Sequence, residues 1–421
     1  MNGARAFRWF GAATLATLAL LHPGYDVSEG SDHVRTALHW LETGRLGQSD
    51  RPSGIFVQGP DGLYYPAHEL GNIVWLTPAA AAGLAAERAL GVSSLSGTDA
   101  RLAVLAASSF PVLLVTLIAL GFWKLLQWGF AVEPRTCAAA SALLVFATML
   151  LPYSRWLGDV VATACWLTWG AAFAARASAG RRRGAAAMAG FCLGCAFLTR
   201  LPAGAAILPI VAAMIAKAAR ADRVRLGVTA IAAGLPALAA LLWFNDLRTG
   251  SPWVPGLMHP QYAPTQPGSG SLAAGIAGLL VSPAKSLFLF SPVLLIAAAG
   301  VPAMLRRARV DALMVIATLV LFLLTHGSLR AWHGDWGWGP RYVVMVLPLL
   351  WLPAVFAADA IRASAAARRA AAVLIAASVA VQIAATIVNW QYQYQLMRHD
   401  GRMTNAMYWS ADNQFTDAMR G

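Results

Sequence analysis

Charge is what this 421-residue sequence has least of: 12% of its residues are Asp, Glu, Lys or Arg, 58% are hydrophobic and the mean hydropathy is +0.58. That scarcity excludes a soluble fold, whose composition runs to about a quarter charged. Acids number only 19, and lysine occurs only at Lys124, Lys217 and Lys285. The four cysteines, Cys137, Cys165, Cys192 and Cys195, all lie inside apolar runs. Cys192-x-x-Cys195 therefore lacks the polar shell of a redox or zinc site, and all four read as small core residues. Also missing are a linker to a second soluble domain and any tandem repeat.

What is present is apolar length. A bilayer core takes roughly 20 apolar residues per crossing, which predicts an all-α polytopic bundle of about eleven transmembrane helices. The first follows Arg5 and Arg8 in MNGARAFRWFGAATLATLALLHPG, where His22-Pro23 replaces the small residues of a signal-peptidase site, so it reads as an uncleaved anchor with a cytoplasmic start. Further spans are expected near 102–124, 137–152, 160–176, 185–199, 202–218, 226–244, 288–305, 310–325, 342–361 and 370–390, giving a single membrane domain over 1–390. The formal charge of +13 sits mainly in the short gaps between these runs, where it reports topology and not a nucleic-acid-binding face.

The run 70–90 (LGNIVWLTPAAAAGLAAERAL) is apolar enough for a twelfth crossing, but charge argues that it only lies on the outer leaflet. With 70–90 at the interface, Arg5/Arg8, Lys124/Arg135, Arg176/Arg181/Arg182/Arg183, Lys217/Arg220/Arg223/Arg225, Arg306/Arg307/Arg309 and Arg362/Arg368/Arg369 all fall inside. A crossing would turn every later cluster outward, against the positive-inside rule. The outer side then carries a large first loop (23–100), loops 153–159, 245–287 and 326–341, and a polar tail, 391–421. In the first loop, Val34, Ala37, Leu38 and Leu41 recur at helical spacing against Arg35, His39 and Glu42, which predicts an amphipathic surface helix ended by Gly44.

Candidate chemistry lies on that outer side. Asp32 opens the surface helix, and Asp159, in LPYSRWLGDVVATACW, opens the fourth span. Carboxylates at membrane depth are costly and are kept for partners or function, although helix capping, at about 1 kcal/mol, explains each more plainly. The loop HGSLRAWHGDWGWGPRYVVMVLPLL concentrates Arg330, His333, Asp335 and Arg341 among Trp332, Trp336 and Trp338. Interfacial belts account for the tryptophans. Arg341 follows a rigid Gly339-Pro340 turn on the side where arginine is disfavoured, and a guanidinium there can clamp a phosphate with two bonds. Lys285, in LLVSPAKSLFLFSP, is a second outer cation, with snorkelling to headgroups as the plain alternative. Arg200, in FLTRLPAG, has three readings that the sequence leaves open: pairing with Asp32, pairing with Asp159, or snorkelling. Loop 245–272, rich in Gly, Pro and Ser, holds His259 and Tyr262 and reads either as a mobile lid or as a plain connection.

In order along the chain, SDHVRTALHWLETGRL, GPDGLYYPAHELGNIVWLTP, YSRWLGDVVA, LTRLPAG, NDLRTGSPWVPG, LLVSPAKSLFLFSPVLL and WHGDWGWGPRYVVMVLP resemble the GT-C superfamily of integral-membrane glycosyltransferases. The branch they are similar to holds bacterial protein mannosyltransferases and aminoarabinose transferases, and the resemblance runs over roughly residues 5 to 355. It implies a GT-C-like bundle in a bacterial inner membrane. The implied reaction moves a sugar from a polyprenyl-phosphate donor to a glycan, lipid or protein acceptor on the extracytoplasmic face, usually with inversion. It also implies Asp32 as general base or acceptor anchor, and Asp159 as a metal or acceptor ligand. Arg341, then Lys285, would hold the donor phosphate with Arg200 and Arg330 as further cations, and His259, Tyr262 and His333 would line the substrate loops. A divalent metal, Mg or Mn, would fall to Asp32 and Asp159. Many relatives carry a paired acid in the first loop, whereas Asp26 and Glu29 here are spaced differently.

The residue types agree with that chemistry independently. An inverting displacement needs one carboxylate for the acceptor proton and cations for the leaving phosphate. A transporter or flippase would instead set ionisable groups near the midplane in repeat-related halves, and here the mid-span regions are nearly free of charge. A glycan polymerase or ligase of another fold is the other alternative, working through arginine and histidine without an essential carboxylate.

Overall fold

The computed structural model describes residues 3–24, 30–52, 54–91, 101–180, 182–334 and 337–388. Asp26, Glu29, Arg181, Asp335, Trp336 and the 391–421 tail lie outside the described residues. The chain is mainly helical: α1 (Gly3–Leu20), α2 (Gly30–Thr43), α3 (Leu70–Ala89), α4 (Arg101–Phe130), α5 (Pro134–Phe146), α6 (Leu150–Tyr153), α7 (Asp159–Gly180), α8 (Arg183–Thr199) and α9 (Gly204–Lys217). These are followed by α10 (Arg223–Thr249), α11 (Leu272–Val281), α12 (Leu287–Phe290), α13 (Leu294–Arg307), α14 (Arg309–Gly327), α15 (Leu347–Trp351), α16 (Ala354–Ala363) and α17 (Ala365–Ile387). Between α2 and α3 a short antiparallel hairpin pairs β1 (Phe56–Gln58) with β2 (Tyr64–Pro66).

Among the described residues five helices, α4, α7, α10, α14 and α17, are long and apolar enough to cross a membrane, and α5, α8, α9 and α11 are shorter apolar helices. Helices suit this sequence because a backbone in hydrocarbon must satisfy its polar groups within the segment. α7 is the central post, with 78% of its apolar window buried, whereas α10 has only 22% of its window buried and turns most of its surface outward. Small residues let α8 and α10 touch backbone to backbone: Gly190 lies directly against the Ala230 carbonyl and Gly194 against Gly234, so a side chain at either glycine would push the helices apart.

Ring and ion contacts fix which helix ends meet. At one end Lys124 lies 4.1 Å over Phe7, Arg176 lies 4.6 Å over Trp128, Lys217 bonds Asp311 at 2.8 Å and Arg307 bonds Asp359 at 2.7 Å. The basic clusters singled out in the sequence therefore gather at one end of the bundle, and Asp159, Arg200 and Arg248 gather at the other. α3 stays at this second end. Gly71 packs on Thr199, while Gly83 meets Ala103 and the Glu87 carboxylate accepts the Leu102 amide, both in the first turn of α4. A helix so placed lies across the end of the bundle and does not reach the end that carries Phe130.

α2 departs from the surface helix expected. Val34, Ala37 and Leu38 face inward as the spacing predicts, and Arg35 and His39 are half-buried and Glu42 exposed, but Asp32, His33 and Thr36 are buried as well. The chain at Gly54–Ile55 covers Asp32, and α3 covers His33 through Asn72. Alternation alone carried no sign that a later segment folds back over this face.

Candidate active site

Asp159 begins α7 and is 2% exposed. Arg200, directly after α8, donates from Nη1 to both of its oxygens, at 2.6 and 2.7 Å. Of the three readings open for Arg200, the structure shows pairing with Asp159.

The next strand of the site comes from the hairpin. Arg248, fully buried near the end of α10, donates to the carbonyls of Pro66, Ala67 and His68 at 3.1, 2.8 and 2.6 Å, and to Asn245 Oδ1 at 2.8 Å. One guanidinium thus fixes the three peptide units that lead into α3, and Gly256 fits against Ala67 and Arg248 where a Cβ would collide with both. This anchoring turns His68 and Glu69 toward Asp159. His68 Nδ1 lies 3.9 Å from Asp159 Oδ2, and ligand atoms of His68, Glu69 and Asp159 all fall within 4.8 Å of one another. Behind them the His33 ring packs edge-on to His68 at 5.2 Å, and its Nδ1 lies 2.8 Å from the Asn72 amide nitrogen, an arrangement that puts the His33 proton on Nε2.

Glu69 is buried at the N-terminus of α3. Burial pushes its carboxyl above the ordinary glutamate range; Arg248 and Arg200 draw it back and the Asp159 charge adds to the rise. A raised native value means that the folded state holds the proton more tightly. The stabilisation is fully present below the unfolded glutamate pKa and is lost as pH climbs through the native one. Glu69→Gln should therefore flatten the acid-to-neutral fall in thermal midpoint; an unchanged slope would place the titration elsewhere.

One imidazole nitrogen and two carboxylates are a donor set that suits Zn or Mn, and the buried, convergent placement fits a divalent cation. The sequence reading put a metal at Asp32 and Asp159. Only Asp159 belongs to the cluster found among the described residues, because successive residues on a helix diverge by about 100°. His33 faces His68, while Asp32 turns to the other side, where Oδ2 accepts the Ile55 amide at 3.2 Å and Gly54 packs against the carboxylate at φ +118°. Tyr262 lies on that side too, donating to the Phe56 carbonyl at 2.9 Å, and Gln261 donates to the same carbonyl at 2.7 Å, so the 245–272 loop is docked on β1 there. Burial raises the Tyr262 hydroxyl pKa, with the Arg51 charge opposing and that of Asp32 adding. His259 is half-buried further along this loop.

The opposite flank is the 326–342 segment. The Tyr342 ring lies between two guanidinium groups, 4.9 Å from Arg200 and 5.2 Å from Arg341, and His326 stacks between Phe322 at 4.2 Å and Tyr342 at 5.1 Å. Arg341 is buried, close enough for its charge to act on Asp159, and Gly334 and Gly337 leave room for its side chain. Lys285 is also buried and donates to the Gly337 carbonyl at 2.6 Å, so it fastens this loop. His333 is buried against Trp332, and Arg330 is exposed, its backbone amide bonded to Ser269 Oγ at 2.9 Å. The structure thus brings together Asp159, Arg200 and Arg341. Sequence reasoning missed His68, Glu69, His33, Asn72, Arg248 and Tyr342; the available signal was an adjacent His-Glu just before a helix, in YYPAHELGN.

No protein-family model and no curated protein sequence matches this chain. Solved structures do. The oligosaccharyltransferase of Archaeoglobus fulgidus in complex with Zn and sulfate superposes with a TM-score of 0.58 at 13% identity, covering 90% of this chain and 53% of that one. The chain shares the fold of the part of that enzyme it covers. The same archaeal enzyme, a GT-C superfamily member, in complex with an inhibitory peptide and a dolichol-phosphate matches at a TM-score of 0.50 and 11% identity, over 92% of this chain and 56% of that one. The chain spans about half the length of these oligosaccharyltransferases, and the likeness does not single out the bacterial branch to which the motifs are similar.

Proposed function

We propose that the chain is a multi-pass GT-C glycosyltransferase, crossing a bacterial inner membrane about eleven times. It transfers a sugar, with inversion, from a polyprenyl-phosphate donor to an acceptor on the extracytoplasmic side. The observation that carries this reading is the buried His68–Glu69–Asp159 group, flanked by Arg200 and Arg341, at the end of the bundle away from the basic clusters. The oligosaccharyltransferase fold and the dolichol-phosphate carried by one neighbour support it. Alternating access would call for charges near the midplane, and the charged cluster lies at one end.

In this reading Arg341 holds the donor phosphate as the glycosidic bond breaks, while Arg200 keeps Asp159 ionised and oriented. Lys285 and Tyr153 act through the backbone, bonding the Gly337 and Trp338 carbonyls, and so hold the segment that carries Arg341. His68, Glu69 and Asp159 would hold a divalent cation, which supplies Lewis-acid stabilisation of developing negative charge. Asp32 takes the acceptor proton, as its motif suggests.

Transfer from a polyprenyl-phosphate sugar in proteoliposomes tests the assignment. Asp32→Asn should abolish turnover in a folded protein, and full activity would rule Asp32 out as the base. Arg341→Ala should weaken use of the donor by roughly 2–3 kcal/mol in kcat/KM, as a phosphate loses a charged partner; an unchanged donor dependence would make Arg341 structural. Cells lacking the protein should accumulate a polyprenyl-linked sugar.

A further inference from the structure

On the other side of the hairpin, away from Asp159, a cavity of about 380 Å³ opens between the end of α2, β2 and α10. Its volume is in the range of small-ligand pockets. Trp40 and Trp243 form two walls, and Leu63, Leu70 and Leu247 form an apolar floor. Arg45 and Asp61 line the same cavity and are both exposed, yet neither has an ion-pair partner among the described residues. Asp61 accepts the Tyr65 hydroxyl at 2.6 Å and the Leu63 amide at 3.1 Å, and its exposed carboxylate has acceptor capacity left.

α10 turns most of its surface outward: Val224, Val228, Ile231 and Leu235 recur every three or four residues as exposed apolar side chains, and Trp243, which lines the cavity about a quarter-turn round from them, is itself 55% exposed. From Arg223 to Trp243 the helix rises roughly 30 Å, the thickness of a bilayer's hydrocarbon core, so Trp243 comes to headgroup level, where tryptophans collect. A cavity bounded by an exposed tryptophan at that depth lies within reach of a membrane lipid. One with a single negative headgroup would meet Asp61 unfavourably, whereas a zwitterion matches both rim charges.

We propose that the cavity is a phospholipid site. One acyl chain enters beside Trp243 and lies between Trp40 and Trp243 over the leucines, while a headgroup with a primary ammonium sets its phosphate on Arg45 and its ammonium on Asp61. None of His68, Glu69, Asp159, Arg200 and Arg341 lines the cavity, and the site does not rest on the glycosyltransferase reading.

The test is lipid retention by the full chain. Protein reconstituted in vesicles of equal phosphatidylethanolamine and phosphatidylglycerol is extracted in mild detergent, and retained lipid is counted by native mass spectrometry. The wild type should keep about one phosphatidylethanolamine per chain, at least about five-fold over phosphatidylglycerol. Arg45→Ala and Asp61→Asn, both at exposed positions, should each abolish that preference. Leu247→Trp, which fills the floor, should lower retention of either lipid about ten-fold. Equal retention of the two lipids by the wild type, or a preference unmoved by both rim variants, would overturn the proposal. Retention indifferent to Leu247→Trp in a protein of unchanged helicity would place the lipid elsewhere and also overturn it.

Discussion

Glu69→Gln and Asp159→Asn should each cut sugar transfer by at least about 100-fold while leaving a folded, membrane-inserted protein. The expectation follows from geometry. Both substitutions keep the side-chain shape, yet each removes a negative charge from a buried group whose ligand atoms converge within 4.8 Å. Weakening the hold on a divalent cation removes stabilisation of the negative charge that develops on the leaving phosphate, and losing even one oxyanion-hole donor costs about 10²–10³-fold. The two variants should differ in detail. Asp159→Asn leaves Arg200 buried without its counter-charge, so it should also lower thermal stability. Glu69→Gln removes a carboxyl that burial disfavours in its charged form, so stability near neutral pH should hold or rise. Activity above a tenth of wild type in both would show that the cluster is structural. A weakened response to added Mn or Zn in either variant, read by isothermal titration of the purified protein, tests the cation independently of turnover.

The second large effect concerns folding. Arg200→Ala leaves the Asp159 carboxylate buried and uncompensated, and breaking a buried ion pair in this way costs about 3–5 kcal/mol. The loss should appear as a lower midpoint of thermal aggregation in detergent. Arg200→Ala combined with Asp159→Ala should recover most of it, because the charge that needed the guanidinium is gone; a double variant no more stable than Arg200→Ala would deny the coupling.

Much of the fold was legible because membrane helices are written in composition. Apolar runs bounded by arginines marked where the chain turns, and the clusters around Arg5, Arg220 and Arg306 do share an end. The site was less legible. Asp159 stood out as an acid at the start of an apolar run, and Arg341 as an arginine on the side where arginine is disfavoured. His68 and Glu69 carried no such contrast: they sit in a polar loop, where a histidine beside a glutamate is ordinary. Their placement depends on Arg248, which is 180 residues away and bonds three backbone carbonyls, a contact with no side-chain partner to hint at it. Asp32 illustrates the converse. Its motif singled it out, but helical geometry sends it and His33 to different sides, and only the histidine reaches the cluster.

Arg248 has a consequence for how the protein meets its surroundings. It belongs to α10, the least buried of the five long apolar helices among the described residues, and it is bolted to the peptide units that present His68 and Glu69. A long helix adjusts to a thinner or thicker bilayer by tilting. Any such tilt of α10 pulls on those carbonyls, so acyl-chain length in the host membrane becomes a control on the spacing of His68 and Glu69 from Asp159.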